Sequence, residues 1–306
     1  MTTEMATGEN RSPAVVTQRR RTDRVEFHID GQLFTSYIFG DAGAARPYFY
    51  PLRGPDGHCL TRHFPMETTV PDEPRDHPHH RSLWAAHGSV NGHDNWNANP
   101  GHAYTRFRHF GGTAANDTLV AHSDWVDAHE SLLCRERLEV RLTVPADGVR
   151  VIDWRVTLTA PEDAATTFGD TKEGGLVAVR VAAPLQEDHG GRIENADGAV
   201  GESACWGRAS RWCDYTGSLT SGGDTVGIAI LCHPDSFRHP TPWHVRGYGL
   251  FSANPFGLQA FDKNAAPGDF VLEAGASLNF HYAVVVHRGN AQAADIEGLW
   301  QRWSRS

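Results

Sequence analysis

Residues 138–158 read LEVRLTVPADGVRVIDWRVTL. Leu138 to Val144 alternates apolar with polar side chains, and Val149 to Leu158 does so after the turn segment Pro145-Ala146-Asp147-Gly148. A period of two places one set of side chains on each face of an extended chain, and Asp-Gly supplies the backbone angles of a tight reversal. The stretch therefore predicts a long antiparallel hairpin. A shorter one is predicted upstream, where Val25 to Ile29 and Gln32 to Tyr37 flank Asp30-Gly31. Leu176 to Ala182, Thr225 to Leu231 and Leu278 to Val286 read as further strands, buried on one or both faces. None is followed by a helix of crossover length, so a doubly wound parallel sheet is disfavoured and two packed antiparallel sheets are expected. One helix is expected at the C-terminal end, with Asn290 as its cap and Ile296, Leu299, Trp300 and Trp303 on one stripe. Residues 53–130 look least strand-like.

The chain has 306 residues and a formal charge of −9. That length suits one large β domain, read here as residues 23–306 after a flexible tail over 1–22 that carries Arg19, Arg20 and Arg21. The acidic balance and the lack of a dense basic stripe argue against a nucleic-acid partner. No apolar run is long enough to span a bilayer, so no membrane role is expected. Five cysteines without a CxxC pair fit a reduced compartment, and no secretory leader is evident, which makes a cytoplasmic location the expectation. The sequence does not set an oligomeric state.

Histidine is concentrated. Six of the 18, namely His77, His79, His80, His87, His93 and His102, fall between positions 77 and 102. His77 and His79 lie two apart, on one side of an extended chain, where two imidazoles can meet one cation. Imidazole suits Zn, Cu, Ni or non-haem Fe, and Asp76 and Asp94 offer orienting carboxylates or a further ligand. The same histidines also suit unmetallated acid–base work, or the hydrogen-bonding of loops. A second cluster, His233 to Arg246, follows the strand ending at Leu231 and holds His239, Trp243, His244 and Arg246. A third, Phe168 to Gly175, offers Asp170, Lys172 and Glu173 among glycines, with Glu173 the preferred general acid or base. Trp84, Trp96, Trp206, Trp212, Tyr215, Trp243 and Tyr248 interleave with these clusters. Flat apolar faces beside dense hydrogen-bonding groups suit a polyhydroxylated ring.

DHPHHRSLWAAHGSVNG at 76–92, FGDTKEGGL at 168–176, WGRASRWCDYTG at 206–217 and HPTPWHVRGYGLFSANPFG at 239–257 together resemble a bacterial family known as methane oxygenase PmoA-like. The resemblance covers most of residues 25–290. It implies an all-β supersandwich similar to galactose mutarotase-type proteins, with His77, His79, His80, Arg81, His87, Asn91, Asp170, Lys172, Glu173, Asp214, His239, His244, Arg246 and Asn254 as the matched motif positions. This chain departs from the family pattern at Ala85, Ser89 and Gly247.

The expected function is that of an enzyme acting on a small carbohydrate-like or polyoxygenated metabolite by proton transfer, of lyase, hydrolase or isomerase type. Glu173, Lys172, Asp170, His80 and His244 are the expected catalytic groups. Arg81, His87, Asn91, Trp206, Asp214, Tyr215, Trp243, Arg246 and Asn254 are expected to bind substrate. His77, His79 and His239 are the expected ligands of a divalent transition metal (Zn, Cu, Fe or Ni), which would act as a Lewis acid. A copper- or iron-dependent oxygenase or oxidase is the alternative, and a non-catalytic sugar-binding domain is a third reading. All of them require the remote histidine-bearing loops to meet.

Overall fold

The computed structural model describes residues 13–220 and 222–306. Two large antiparallel sheets dominate it. In spatial order the first holds β1 (Val16–Arg20), β2 (Arg24–Ile29), β3 (Gln32–Ile38), β4 (Tyr48–Phe49), β5 (Leu83–His87), β11 (Gly174–Arg180), β17 (Leu250–Ala253), β16 (Thr241–Val245) and β13 (Ala209–Ser210). The second holds β12 (Arg192–Asn195), β14 (Trp212–Ser218), β15 (Thr225–Cys232), β19 (Ser277–Arg288), β9 (Val149–Thr159), β8 (Leu132–Ala146), β7 (Thr118–Val126) and β6 (Tyr104–Ala115). A separate ribbon pairs β10 (Thr166–Phe168) with β18 (Phe270–Leu272).

Both predicted hairpins form. β8 and β9 pair from Arg135 opposite Thr159 to Ala146 opposite Val149, with Asp147-Gly148 as the reversal. β2 and β3 reverse at Asp30-Gly31, where both residues have positive φ, 51° and 79°. Strand alternation then builds the core. Phe27, Phe49, Leu83, Val179 and Phe251 of the first sheet meet Leu138, Trp154, Ile228 and Val284 of the second. The rings of Phe49 and Trp154 stand 5.5 Å apart across that interface. The expected all-β antiparallel sandwich with a C-terminal helix is thus the fold of this chain.

β19 is buried on both faces: Tyr282, Val284 and Val286 enter the inter-sheet core, while Ala283 and Val285 face the C-terminal helix α3 (Ile296–Trp303). That helix buries Ile296 and Leu299 against Trp212, Ala229 and Leu231. Its cap is Asp295, whose carboxylate accepts the Gly298 amide at 3.2 Å, and not Asn290. Asn290 instead caps the turn before it, accepting from Ala293 at 2.9 Å. Two further short helices are α1 (Glu202–Cys205) and α2 (Leu258–Phe261).

Two other expectations are corrected. Val16–Arg20, read as part of the flexible tail, pairs with Val25–Ile29 of β2, and the Arg20 guanidinium lies 3.9 Å from the Phe110 ring centre. The part of that tail over residues 1–12 lies outside the described residues. Residues 104–126, within the stretch that looked least strand-like, form the long pair β6–β7, in which Arg106 lies opposite Asp124 and His109 opposite His122. No helix among the described residues is long and apolar enough to cross a membrane.

Candidate functional site

The outer face of the first sheet carries one row fixed by strand register. Trp84 of β5 pairs with Ala178 of β11, Ala178 with Ser252 of β17, and Ser252 with His244 of β16. Directly opposed residues in antiparallel strands point to the same face. Trp84 and His244 are therefore separated by two small side chains, and His244 lines a cleft of about 320 Å³. Glycines bring the strands together here: a Cβ on Gly174 would stand 2.6 Å from His87 Nδ1, and one on Gly175 2.5 Å from Ser252 Cβ.

Three loops wall the cleft, each tied down by a buried group. The segment bearing His77, His79 and His80 is held by Arg62, whose side chain is fully buried and donates to the carbonyls of Asp76, at 2.7 Å, and His77, at 2.8 Å. The segment bearing Lys172 and Glu173 is held by Asn254, whose Nδ2 donates to the Thr171 and Lys172 carbonyls at 2.8 and 3.1 Å. Arg246 and Tyr248 sit on the β16–β17 turn, where the Tyr215 hydroxyl bonds the Arg246 and Leu250 carbonyls at 2.9 and 3.0 Å. Asn97 completes the rim.

Asp76 links the loop to the sheet. Its carboxylate takes Arg62 Nη1 at 2.7 Å and Arg180 Nη2 at 3.0 Å, and its other oxygen bonds Nδ1 of His77. Burial alone would raise the Asp76 pKa, but Arg180, the His77 bond and Arg62 outweigh it and hold the carboxyl below its ordinary value. Above this anchor the rings are layered: Tyr248 on His77, His77 on His80 and His80 on Trp84, with centroids 5.3, 4.8 and 5.3 Å apart.

Hydrogen-bond partners fix the tautomers of two imidazoles. His77 donates from Nδ1 to the Asp76 carboxylate, so its Nε2 carries the lone pair of the neutral ring. His80 Nδ1 lies 3.2 Å from Arg180 Nη1, and a guanidinium only donates, so the proton of His80 is on Nε2. That Nε2 is buried and has no partner. Nδ1 of His244 is buried and has no partner. Burial, then Arg246 and Lys172, push the His244 pKa down to about 3, against the opposing pull of the Lys172 backbone. Burial, then Arg46 and His77, take His79 to about 3 against Asp94. Burial, then His79 and Arg180, hold His80 well below its usual value. Three of the four cleft histidines are thereby neutral at pH 7. Lys172 Nζ stands 3.4 Å from Glu173, and Arg246 Nε 3.2 Å from Glu202.

Of the predicted residues, the cleft gathers His77, His79, His80, Lys172, Glu173, His244 and Arg246. Others support it from behind: Asn254 and Tyr215 as above, and buried Trp243, whose Nε1 donates to the Ser210 carbonyl. The remainder do other work. Asp170, expected to be catalytic, accepts the amides of Gln259, Ala260 and Gly268 at 2.6–2.9 Å and so ties α2 and its following loop to the sheet. Arg81 binds Asp41 and the Gly43 carbonyl, and Asn91 bonds the Thr167 amide. His87 is fully buried, with Nε2 2.9 Å from the Gly169 carbonyl. Asp214 is buried in the second sheet against His287 at 3.0 Å. Trp206 packs edge-on against Phe261.

The expected metal set is not assembled: His239 lies by the C-terminal helix, with Nδ1 3.4 Å from Cys232 Sγ and its ring stacked on Trp300. Nδ1 of His77 and of His80 are already engaged. Among the described residues no group of three or more His, Cys, Asp or Glu is placed to hold a metal ion. Sequence reasoning missed Arg62, Arg180, Asn97 and Glu202. Arg180, a cation inside the apolar strand LVAVRVAA, carried a signal of its own, since a buried guanidinium needs a partner.

A family described as "Family of unknown function (DUF6807)" matches residues 24–301. This overturns the PmoA-like attribution, which no matched family supports. No curated protein matches the chain. Similar solved structures include the alpha-galactosidase from Lactobacillus brevis, at TM-score 0.39 and 11% identity over 90% of this chain and 40% of that one. Another is the alpha-galactosidase AgaA from Geobacillus stearothermophilus in complex with raffinose, at TM-score 0.39 and 10% identity over 90% and 41%. The chain spans about two-fifths of the length of these proteins, and at that TM-score neither likeness bears on its chemistry.

Proposed function

This chain belongs to the DUF6807 family, whose function is unknown, and for it we propose an enzyme that performs acid–base chemistry on a small polyoxygenated metabolite held in the cleft of the first sheet. The observation that carries the reading is the gathering of four imidazoles, a lysine–glutamate pair and an arginine from three remote loops around about 320 Å³. A volume of that size accommodates a small metabolite.

Each group has a task that follows from its bonds. His77, held through Nδ1 by Asp76, offers Nε2 as the proton acceptor. Glu173, with Lys172 3.4 Å away, is the second proton-transferring group. The Nε2–H of His80 donates to a substrate oxygen, and the unpartnered Nδ1 of His244 bonds a substrate hydroxyl. The layered faces of Tyr248 and His77 suit the C–H face of a sugar-like skeleton. Proton transfer next to a carbonyl by this set leads to isomerisation or to elimination of a β-oxygen as hydroxide or alkoxide, the isomerase or lyase class, while the same base acting on a water would give hydrolysis.

Incubation with a mixture of sugars, sugar acids and their keto forms, followed by NMR, tests the reading. Conversion by the unaltered protein should fall by roughly 10²-fold or more in His77→Gln and Glu173→Gln, with melting temperatures preserved. Binding without any chemical change, in the unaltered protein and in both variants, would make it a sugar-binding domain and refute catalysis.

A further inference from the structure

We infer that the metabolite is a hydroxy acid whose carboxylate sits between Lys172 and Arg246, with a neighbouring hydroxyl bonded to Nδ1 of His244. The inference rests on the proposed acid–base reading and names its substrate class.

The charges lining the cleft set the sign. Two cations, Lys172 and Arg246, face it against one carboxylate, Glu173. Lys172 is half exposed, and among the described residues the only carboxylate paired with its ammonium is Glu173, at 3.4 Å. Arg246 meets Glu202 through Nε, and among the described residues its two terminal nitrogens make no hydrogen bond. A planar fork with two free N–H corners is matched to a carboxylate. Behind the histidines the imbalance repeats, for Arg62 and Arg180 are both buried and share the single carboxylate of Asp76. A chain of net charge −9 thus concentrates cations at one cleft.

His244 lies in the field of both cleft cations, which act on its ring from the turn and from the β10–β11 loop. It is only 2% exposed and its Nδ1 has no protein partner. Buried polar atoms are rarely left unpaired, so the missing partner belongs to what occupies the cleft. A hydroxyl both donates and accepts, so it completes this nitrogen in either tautomer of the ring, and the position of His244 beside the two cations puts that hydroxyl next to the acid group. A phosphate monoester fits less well: the Gly247 amide, a backbone donor on this wall, is already bound by Glu202.

Calorimetry or ligand-observed NMR with six-carbon sugar acids, the matching neutral sugars and the matching sugar phosphates tests the assignment. The acids should bind roughly tenfold or more tighter than the neutral sugars, and added salt should erode the difference. Lys172→Met and Arg246→Met should each remove most of that preference, with Lys172, half exposed, the variant least able to disturb folding. Equal affinity for acids and neutral sugars, loss of both alike in the variants, or preference for the phosphates would overturn the hydroxy acid. If neutral sugars are turned over in a manner that depends on His77 and Glu173, only this inference fails. If nothing in the three sets binds, the acid–base reading falls with it.

Discussion

Replacing Asp76 by Ala leaves two guanidiniums, 0% and 1% exposed, without the carboxylate they share. Removing one member of a buried ion pair typically costs about 3–5 kcal/mol, because the other charge stays buried and uncompensated. Two features reduce that here. The Asp76 side chain is 38% exposed, so water screens part of the interaction, and Arg62 keeps its bonds to the Asp76 and His77 carbonyls. A loss of about 2–3 kcal/mol is expected for Asp76→Ala and about half of that for Asp76→Asn, which retains an acceptor oxygen without the charge. Urea unfolding reads it as a shift in midpoint at constant slope. Adding Arg180→Met to Asp76→Ala should recover part of the loss by removing an orphaned charge. The sign with pH follows from the lowered Asp76 pKa: the stabilisation is full above the unfolded carboxyl pKa and disappears as pH falls through the folded one. A loss below about 0.5 kcal/mol for Asp76→Ala would refute the claim that this carboxylate anchors the histidine loop.

Acid should unfold the protein through its neutral histidines. His79 and His244 at about 3 and His87 at about 4 stay unprotonated in the native state while the unfolded chain takes up protons below about 6.5. Stability should therefore fall by about 1.4 kcal/mol per pH unit for each such ring between pH 6.5 and 5, partly offset by His287; its burial lowers its pKa, but Asp214 outweighs this and raises it. Chemical denaturation at both pH values measures this, and unchanged stability would contradict it. At Gly268 a Cβ would stand 1.9 Å from the Phe256 carbonyl, so Gly268→Ala should cost about 2–3 kcal/mol in the same assay; a neutral outcome would show that the loop gives way. Asp295→Ala should destabilise by about 1 kcal/mol through loss of the α3 cap, and Asn290→Ala by less, with the reverse order restoring Asn290 as the cap.

The strands were readable wherever side chains alternate between core and solvent, as in 138–158, and wherever an Asp-Gly pair marked the reversal. β6 and β7 were harder, because an outward row of arginine and histidine has the composition of a loop. The helix cap was misplaced since Asn290 and Asp295 both cap turns in succession, and the sequence does not say which turn continues. At the site, residue chemistry picked out three segments that do converge. It could not tell a carboxylate facing the cleft from one tying loops together: Glu173 and Asp170 stand three apart, and only backbone amides from residues 259–268 decide that Asp170 is structural. His239 and His244 were equally inviting, yet strand register sends His244 to the outer face while His239 precedes β16 at the edge near α3. Arg62 and Arg180 were passed over because arginine is ordinarily a surface residue.

Nitrogen-15 NMR of the imidazoles in histidine-labelled protein, assigned by single His→Gln variants, goes straight to the arrangement on which the chemistry depends. At pH 7 His80 and His244 should be neutral, His80 with its proton on Nε2, and the neutral form of His77 should carry its proton on Nδ1, bound to Asp76. Cationic rings at 80 and 244, or the opposite tautomers at 77 and 80, would contradict the site described here.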